Sequence, residues 1–419
     1  MGRILALTAF AGHAVHTQGL KILSNSSIVS LACAGLSLET FEDFVREYGK
    51  EYSPEEYGTR KELFKSRIAH IAGHNCADRH LWSAQVNHMA DWTESELLSL
   101  RGYKPSASSS TQRSLPLTNL RLARYSDELP EYVSYGHLAS IKRPADQGQC
   151  GSCWAYAAAA TLDAHNELNN GSHQFSVGQI LACTPNPNQC GGSGGCEGAT
   201  AELAFEYALQ AQVVSKAEFP ADKTGKQPAC PEDKRPWGAL ARTGVGTQAV
   251  LMPDGSEKHM IHGSSDASLM MGRRTGLLGW TKFPSNKEAE LVHGLVNYGP
   301  VAIAVAAGPD WNWYFHGILT PDGCDSKNVI SHAVVLYGYG KSMNVKIGEV
   351  KYWQIKNSWG RNWGEDGSMR LQRVEEEELR CGWDNSPEVG SGCKGGPKQV
   401  WVCGSCGILF DTVMPIFRM

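Results

Sequence analysis

The tetrapeptide Cys-Gly-Ser-Cys occurs twice in this chain, as Cys150-Gly151-Ser152-Cys153 and as Cys403-Gly404-Ser405-Cys406. A thiol acts as nucleophile or metal ligand only as thiolate, so each copy's chemistry depends on what stabilises charge on its sulfur. Cys153 is followed by Trp154-Ala155-Tyr156-Ala157-Ala158-Ala159-Ala160-Thr161-Leu162-Asp163. Alanine is the strongest helix former, so a helix is predicted to begin near Cys153 and end near Asn169-Asn170-Gly171. A sulfur at a helix N-terminus lies beside the positive end of the dipole, which favours the thiolate. Gly151 and Ser152 add little bulk around it. A C-x-x-C motif alone leaves three readings open: a redox dithiol, half a zinc site, or coincidence. The redox reading wants a βαβ context that this sequence lacks, and zinc wants two further ligands at matching spacing.

Three other residue types could complete a nucleophilic site. His332 opens the apolar run Ser331-His332-Ala333-Val334, Asn357 lies in Lys356-Asn357-Ser358-Trp359-Gly360, and Gln147 precedes Cys153 by six positions. A histidine beside a thiol takes its proton and holds a thiolate–imidazolium pair. The second copy has no Gln six positions before its last cysteine, no following Trp and no helix pattern after it.

The elements that must position these groups are legible in outline. Phe41, Phe44, Val45, Tyr48, Tyr57, Leu63, Phe64, Ile68 and Ile71 recur at helical spacing, so residues 39–75 are predicted helical. Ser53-Pro54-Glu55-Glu56 is a helix start. A second helix is predicted over 199–208. The short β-prone runs 301–305, 333–337, 352–355 and 369–371 come late. That order predicts two lobes, helical first and β second. Residues 240–279 are Gly-rich, contain Met and lack clear periodicity, and read as a long insertion or disordered loop. The Ser-rich stretch 104–114 reads as a linker open to proteolysis.

The 419 residues carry a net charge of −4 and 20% charged residues, which gives no signal for nucleic acid or an anionic membrane surface. Ten of the thirteen cysteines lie between Cys150 and Cys406 with Cys153 left out, which suits five disulfides and one special thiol in an oxidising compartment. Arg3 followed by Ile4-Leu5-Ala6-Leu7-Thr8-Ala9-Phe10-Ala11 fits a signal peptide, and no stretch is long and apolar enough for a transmembrane helix. The sequons at Asn25 and Asn170 carry information only for a secreted chain.

Gln147-Gly148-Gln149-Cys150-Gly151-Ser152-Cys153-Trp154, His332, and Asn357-Ser358-Trp359-Gly360 with Trp363-Gly364, in this order, resemble the papain-like cysteine proteases of the cathepsin L-like branch. The resemblance implies an α+β fold with a helical lobe, a β-barrel-like lobe and a helical propeptide. It implies a cysteine endopeptidase with Cys153 as nucleophile, His332 as acid and base, and Asn357 orienting the imidazole. Trp359 would shield that bond, Trp363 would support it, and Gln147 would contribute to the oxyanion hole. One spacing departs: Cys153 and His332 are 179 positions apart, against roughly 130–150 in this family. The excess matches segment 240–279 in size. The family pattern pairs Cys150 with Cys196, Cys183 with Cys230 and Cys324 with Cys381. It leaves Cys190, Cys393, Cys403 and Cys406 to two further bridges, which makes the second copy a staple, with a zinc knuckle as its rival.

Glu56, Arg60, Phe64, Ile71 and Asn75 match the family's prosegment helix, with Arg67 where that pattern has Asn. Asn87-His88-Met89-Ala90-Asp91 resembles its second motif, with Met89 in place of Phe. The implied organisation is an N-terminal hydrophobic segment over 1–35, an inhibitory propeptide over 36–104, an activation region over 105–126 and a peptidase domain over 127–419 with a Cys-rich extension at 383–412. Maturation is expected near Leu129, and acid is expected to loosen the propeptide by protonating paired carboxylates. Gly198 and Ala199 would bond substrate backbone. Thr200, Ala201, Ala304, Ile330 and Ala333 would line a pocket for a hydrophobic residue two before the scissile bond. The expected partners are protein or peptide substrates, the chain's own propeptide and protein inhibitors, for a monomer that is secreted or lies in a lysosome or vacuole. No cofactor or metal is implied, and no nucleic acid or membrane partner. The alternative is an inactive relative acting by binding, against which the intact Gln147, Cys153, His332 and Asn357 argue.

Overall fold

The fold is described from a computed structural model over residues 40–77, 81–102, 129–222, 227–234, 247–251, 257–261, 275–344 and 347–418. The expected signal peptide, Asn25 and the activation region lie outside these residues.

The front segment contains α1 (Phe41–Glu47), α2 (Pro54–Asn75), β1 (Trp82–Ala84) and α3 (Glu94–Ser99). The predicted helical region 39–75 forms two helices, the second at the helix start read at Ser53-Pro54. Gly49, at φ 58°, turns the chain after α1, and Ser53 starts α2 by accepting from the Glu56 amide. Thr40 and Thr93 cap α1 and α3 in reciprocal boxes with Asp43 and Glu96, satisfying amide groups that lack intrahelical partners. Phe64 of α2 packs its ring 5.5 Å from Phe41 and 4.8 Å from Phe44.

After β2 (Val133–Ser134), which pairs with the sheet of the second lobe, the helical lobe contains α4 (Ala139–Lys142), α5 (Cys153–Leu168), α6 (Val177–Cys183) and α7 (Ala201–Gln210). Trp154, Ala158, Leu162, Ile180, Phe205 and Leu209 bury completely in its core. The Ala-rich run gives α5 both its helix propensity and a smooth surface against which larger side chains pack.

The second lobe contains β3 (Thr247–Leu251), β4 (Glu257–Ile261), β5 (Leu277–Lys282), α8 (Glu288–Tyr298), β6 (Val301–Val305), β7 (Tyr314–Leu319), β8 (His332–Asn344), β9 (Gly348–Lys356), β10 (Ser368–Gln372), β11 (Cys381–Asp384), β12 (Val400–Cys403) and β13 (Asp411–Phe417). The main sheet runs β1-β7-β10-β9-β8-β6-β13-β5-β4-β3, with β2 on β8 and only β7/β10 parallel among its pairs. Front-segment strand β1 thus forms one edge, antiparallel to β7. Segment 240–279, read from sequence as a long insertion or disordered loop, contributes β3 and β4 to the opposite side, β4 antiparallel to β5 and β3 antiparallel to β4 at the edge. A turn signal, Pro253-Asp254-Gly255, stands between them in sequence.

Between pairs of described residues, disulfides join Cys150 to Cys196, Cys183 to Cys230, Cys190 to Cys393, Cys324 to Cys406 and Cys381 to Cys403. The expected Cys324–Cys381 bridge is corrected. Cys381 stands directly opposite Cys403 in the β11/β12 ladder, where cross-strand Cβ atoms approach closely, and Cys324 takes Cys406. Both sulfurs of the second Cys-Gly-Ser-Cys are therefore bonded. Cys153 is the free cysteine among the described residues.

Candidate active site

Cys153 is the first residue of α5. His332 opens β8, and Asn357 comes directly after the last residue of β9. β8 and β9 are antiparallel neighbours, so the start of one lies beside the end of the other. The β6/β8 register sets Val305 opposite His332. Next to His332 in sequence, the Ala333 amide donates to Cys153 Sγ at 3.5 Å. Helical and sheet lobes thus meet at the thiol.

His332 Nε2 lies 2.8 Å from Asn357 Oδ1. The Ser358 amide also donates to Oδ1, at 2.8 Å, which identifies that atom as the amide oxygen. Oδ1 can only accept, so Nε2 carries the ring proton and Nδ1 carries the lone pair. Nδ1 is buried and has no hydrogen-bond partner in the structure. The Trp359 ring stacks at a tilt 4.8 Å from His332, Trp363 stands edge-on to Trp359 at 5.3 Å, and both indoles are buried. Trp363 Nε1 donates to Trp311 O at 2.7 Å, and Trp311 meets His332 edge-on at 6.2 Å. Of this aromatic cover, Trp311 was not singled out by sequence, because Trp311-Asn312-Trp313 carries no helical or strand periodicity that would mark it.

Gln147 Nε2 donates to Leu100 O and to Cys150 O, each at 2.8 Å, while Oε1 accepts from Ser358 Oγ at 2.6 Å. Leu100 belongs to the front segment, which runs directly over the thiol. The Gly102 amide donates to Cys153 Sγ at 3.3 Å. A Cβ on Gly102 would lie 2.5 Å from Gly151 O and 2.7 Å from Cys153 Sγ, and one on Gly198 would lie 1.6 Å from Gly102 O. Only glycine on glycine permits this approach. Neither Leu100 nor Gly102 was read from sequence as a site residue, since no local pattern marks where a segment crosses a distant thiol.

Burial decides the protonation states here. It pushes the Cys153 thiol up to about 11, against the opposing amides of Ala333, Gly102 and Trp154. It pushes His332 down to about 4, partly offset by the Asn357 bond. The helix dipole favours the thiolate by at most about 2 kcal/mol, and complete desolvation outweighs it. The closed pair is therefore neutral thiol and neutral imidazole.

The rest of the front segment is anchored by charge and backbone. Arg60 binds Glu56 and Glu96, and Lys50 and Tyr52 both reach Asp91. Asn75 exchanges two 2.8 Å bonds with the backbone of Ala84. Met89 is fully buried and fills its position as an apolar side chain. Arg67, the departure noted in sequence, pairs with Glu94 and lies 5.3 Å over the Trp313 ring, tying the front segment to the body. Asn87 Nδ2 donates to Asn312 O at 2.8 Å. Burial raises Glu96, but the Arg60 and Thr93 bonds outweigh it and hold Glu96 at about 2. Mild acid therefore leaves this carboxylate charged, unlike the expectation from sequence.

The expected substrate-pocket residues divide. Thr200 lines a cavity of about 570 Å³, together with Glu202, Glu206, Trp280, Lys282 and Asp411. Ala304 and Ile330 pack with Ala306 and Val402, whereas Ala199, Ala201 and Ala333 belong to the helical-lobe core. Small side chains serve packing and cleft walls equally, so sequence could not sort them. Gly198, at φ 97°, lies against the front segment.

The model of papain family cysteine proteases matches residues 129–391, more than half of the chain, and that of the cathepsin propeptide inhibitor domain matches residues 41–97. The chain belongs to the papain family of cysteine proteases, and its front segment is a propeptide of the cathepsin type. It is 27% identical over 362 residues to a cathepsin L-like protein of Caenorhabditis elegans, covering 83% of this chain and 92% of that one. Its fold is similar to that of digestive procathepsin L 3 from Tenebrio molitor larval midgut (TM-score 0.63, 22% identity, 91% of this chain and 100% of the other). It is also similar to that of a recombinant stem bromelain precursor (TM-score 0.61, 22% identity, 90% and 98%).

Proposed function

We propose that the mature chain hydrolyses peptide bonds with Cys153 as nucleophile and His332 as acid and base. His332 Nδ1 takes the thiol proton, and sulfur attacks the scissile carbonyl carbon. The C–N bond breaks as the imidazolium protonates the leaving amine. Water then adds to the thioester, giving its proton to His332, and the product leaves as a carboxylic acid with the thiol restored. Asn357 holds the productive tautomer. Gln147 Nε2 and the Cys153 amide stabilise the oxyanion. The observation that carries this reading is a peptide backbone already lying on the thiol: Leu100 O is 2.8 Å from Gln147 Nε2, and the Gly102 amide is 3.3 Å from Sγ.

In the proenzyme this segment lies on the nucleophile, and its removal near Leu129 opens the cleft. Substrates are proteins or peptides with a hydrophobic residue two before the scissile bond, and protein inhibitors would compete for the same cleft. The disulfides among the described residues support a secreted or lysosomal/vacuolar location. Among the described residues no helix is long and apolar enough to cross a membrane. The test is turnover of a fluorogenic peptide by the processed protein. Hydrolysis that disappears in Cys153→Ala supports the reading, and hydrolysis that persists there contradicts it.

A further inference from the structure

The Cys-rich extension crosses from one wall of the cleft to the other. The Ser391 amide donates to Ile330 O at 2.9 Å, two residues before His332. Gly390 lies so close to that carbonyl that a Cβ there would stand 2.3 Å from it. One residue beyond Ser391, the Gly392 carbonyl accepts from the Gly191 amide at 3.0 Å in the helical lobe. Gly191 O stands 2.1 Å from where a Cβ on Gly198 would be, beside the position of Gly102 O. The Cys190–Cys393 disulfide and a 3.0 Å bond from the Lys394 amide to Asn188 O fix the far end. Residues 390–394 thus form a strap, bonded covalently and by three backbone hydrogen bonds, between the wall that carries His332 and the wall that faces bound peptide.

We infer that this strap closes the cleft beyond the second residue before the scissile bond, so that the enzyme removes dipeptides from chain N-termini in preference to cutting within chains. This rests on the peptidase reading above. The strap residues Ser391, Gly392 and Cys393 line the same 570 Å³ cavity as Thr200. Thr200 is an expected wall of the pocket for the second residue, so strap residues lining the same cavity stand where a third residue on the N-terminal side would go. The cavity also suits a terminal ammonium. Glu202, Glu206 and Asp411 face it with Lys282 as the countercharge, and Lys282 Nζ lies 2.6 Å from Glu202 and 2.7 Å from Asp411. Glu202 and Glu206 outnumber Lys282, and Asp411, raised to about 6 by burial, adds negative charge above that pH. The reaction is hydrolysis of the second peptide bond: water supplies OH to the dipeptide carbonyl and H to the new amine of the shortened chain.

The experiment compares processed enzyme on a dipeptidyl coumarin amide with a free amine, its N-acetylated form, and a tetrapeptidyl amide ending in the same two residues. Reaction of Cys153 with iodoacetamide is measured in parallel. We expect kcat/KM to favour the free dipeptide by about tenfold or more, the scale of leaving polar groups of a site unpaired. Cys190→Ser/Cys393→Ser, which frees the strap, is expected to raise the rate on the tetrapeptide and narrow the ratio. Equal rates on all three substrates in the unmodified enzyme overturn the strap while leaving the peptidase reading intact. A preference that survives in the folded double variant overturns the strap as its cause. No turnover together with an unreactive Cys153 overturns the peptidase reading and this inference with it.

Discussion

The same four residues, Cys-Gly-Ser-Cys, do opposite things at the two ends of the mature region. In the first copy Cys150 bridges to Cys196, and Cys153 stays free at the head of a 16-residue helix. In the second, Cys403 bridges to Cys381 and Cys406 to Cys324, and Cys406 takes a left-handed φ of 54°. The residues on the C-terminal side of each copy make the difference. An alanine-rich run carries the chain into a helix after Cys153, whereas Gly407-Ile408-Leu409-Phe410 leads into strand β13 (Asp411–Phe417) after Cys406. A helix directs its first side chain away from the chain's path and adds a dipole. A ladder sets Cys403 against its partner across the β11/β12 pair. Reactivity therefore belongs to the setting and not to the tetrapeptide.

The largest effects should separate the copies outright. Cys153→Ala is expected to abolish turnover, and His332→Ala to reduce it by about 10²–10⁴-fold, the scale of general acid–base catalysis. Cys381→Ser/Cys403→Ser should retain the catalytic centre and lose stability instead, by about 2–4 kcal/mol, read as a lower midpoint in denaturant. Comparable loss of turnover per folded molecule in both variants would break the contrast.

Gln147→Ala, which leaves the thiol in place, should lower kcat by about 10²–10³-fold with a small change in KM, as for removal of one oxyanion donor. An unchanged kcat would remove Gln147 from the mechanism.

Gly102→Ala tests the cover on the first copy. The added Cβ meets Gly151 O and Cys153 Sγ, and overpacking of this kind costs about 1–3 kcal/mol. The propeptide added in trans should inhibit about 5- to 150-fold more weakly. Unchanged inhibition would show that the segment does not sit on the thiol.

The most graded effect is that of pH. His332 is lowered in the closed state, so its neutral form is the one the buried site favours. That contribution is fully present above the ordinary value of 6.5 and is lost as pH falls toward about 4. Between those values the opened chain binds a proton that the closed chain does not, so acid drives opening. Glu96, held at about 2, stays charged throughout. Propeptide release should therefore rise from pH 6.5 to 4 and depend less on pH in His332→Ala.

Legibility from sequence tracks the range of the interactions involved. The α5 helix start, its end near Asn169 and the late strands rest on local propensity and could be read from sequence. Two lobes came from their order. The start of α2 was legible in Ser53-Pro54-Glu55-Glu56, whereas the end of α1 at Glu47 was not, because apolar spacing continues to Tyr48 before Gly49 turns the backbone. The strands within segment 240–279, read as a long insertion or disordered loop, could not be read because β3 and β4 alternate weakly and the pairing of β4 on β5, with β3 at the edge, is a tertiary fact. The Cys324 partner could not be read because spacing does not encode which strands face each other. The strap was invisible for the same reason: Ser391 and Gly392 act through backbone groups, which leave no trace in residue type.

The most direct test is labelling of the acid-activated protein with an epoxide affinity reagent and peptide mass mapping of the product. The account predicts label on Cys153 alone, abolished in His332→Ala, with the peptide containing Cys403 and Cys406 unmodified. A folded, processed chain with no label on Cys153, or with label on the second copy, would contradict it.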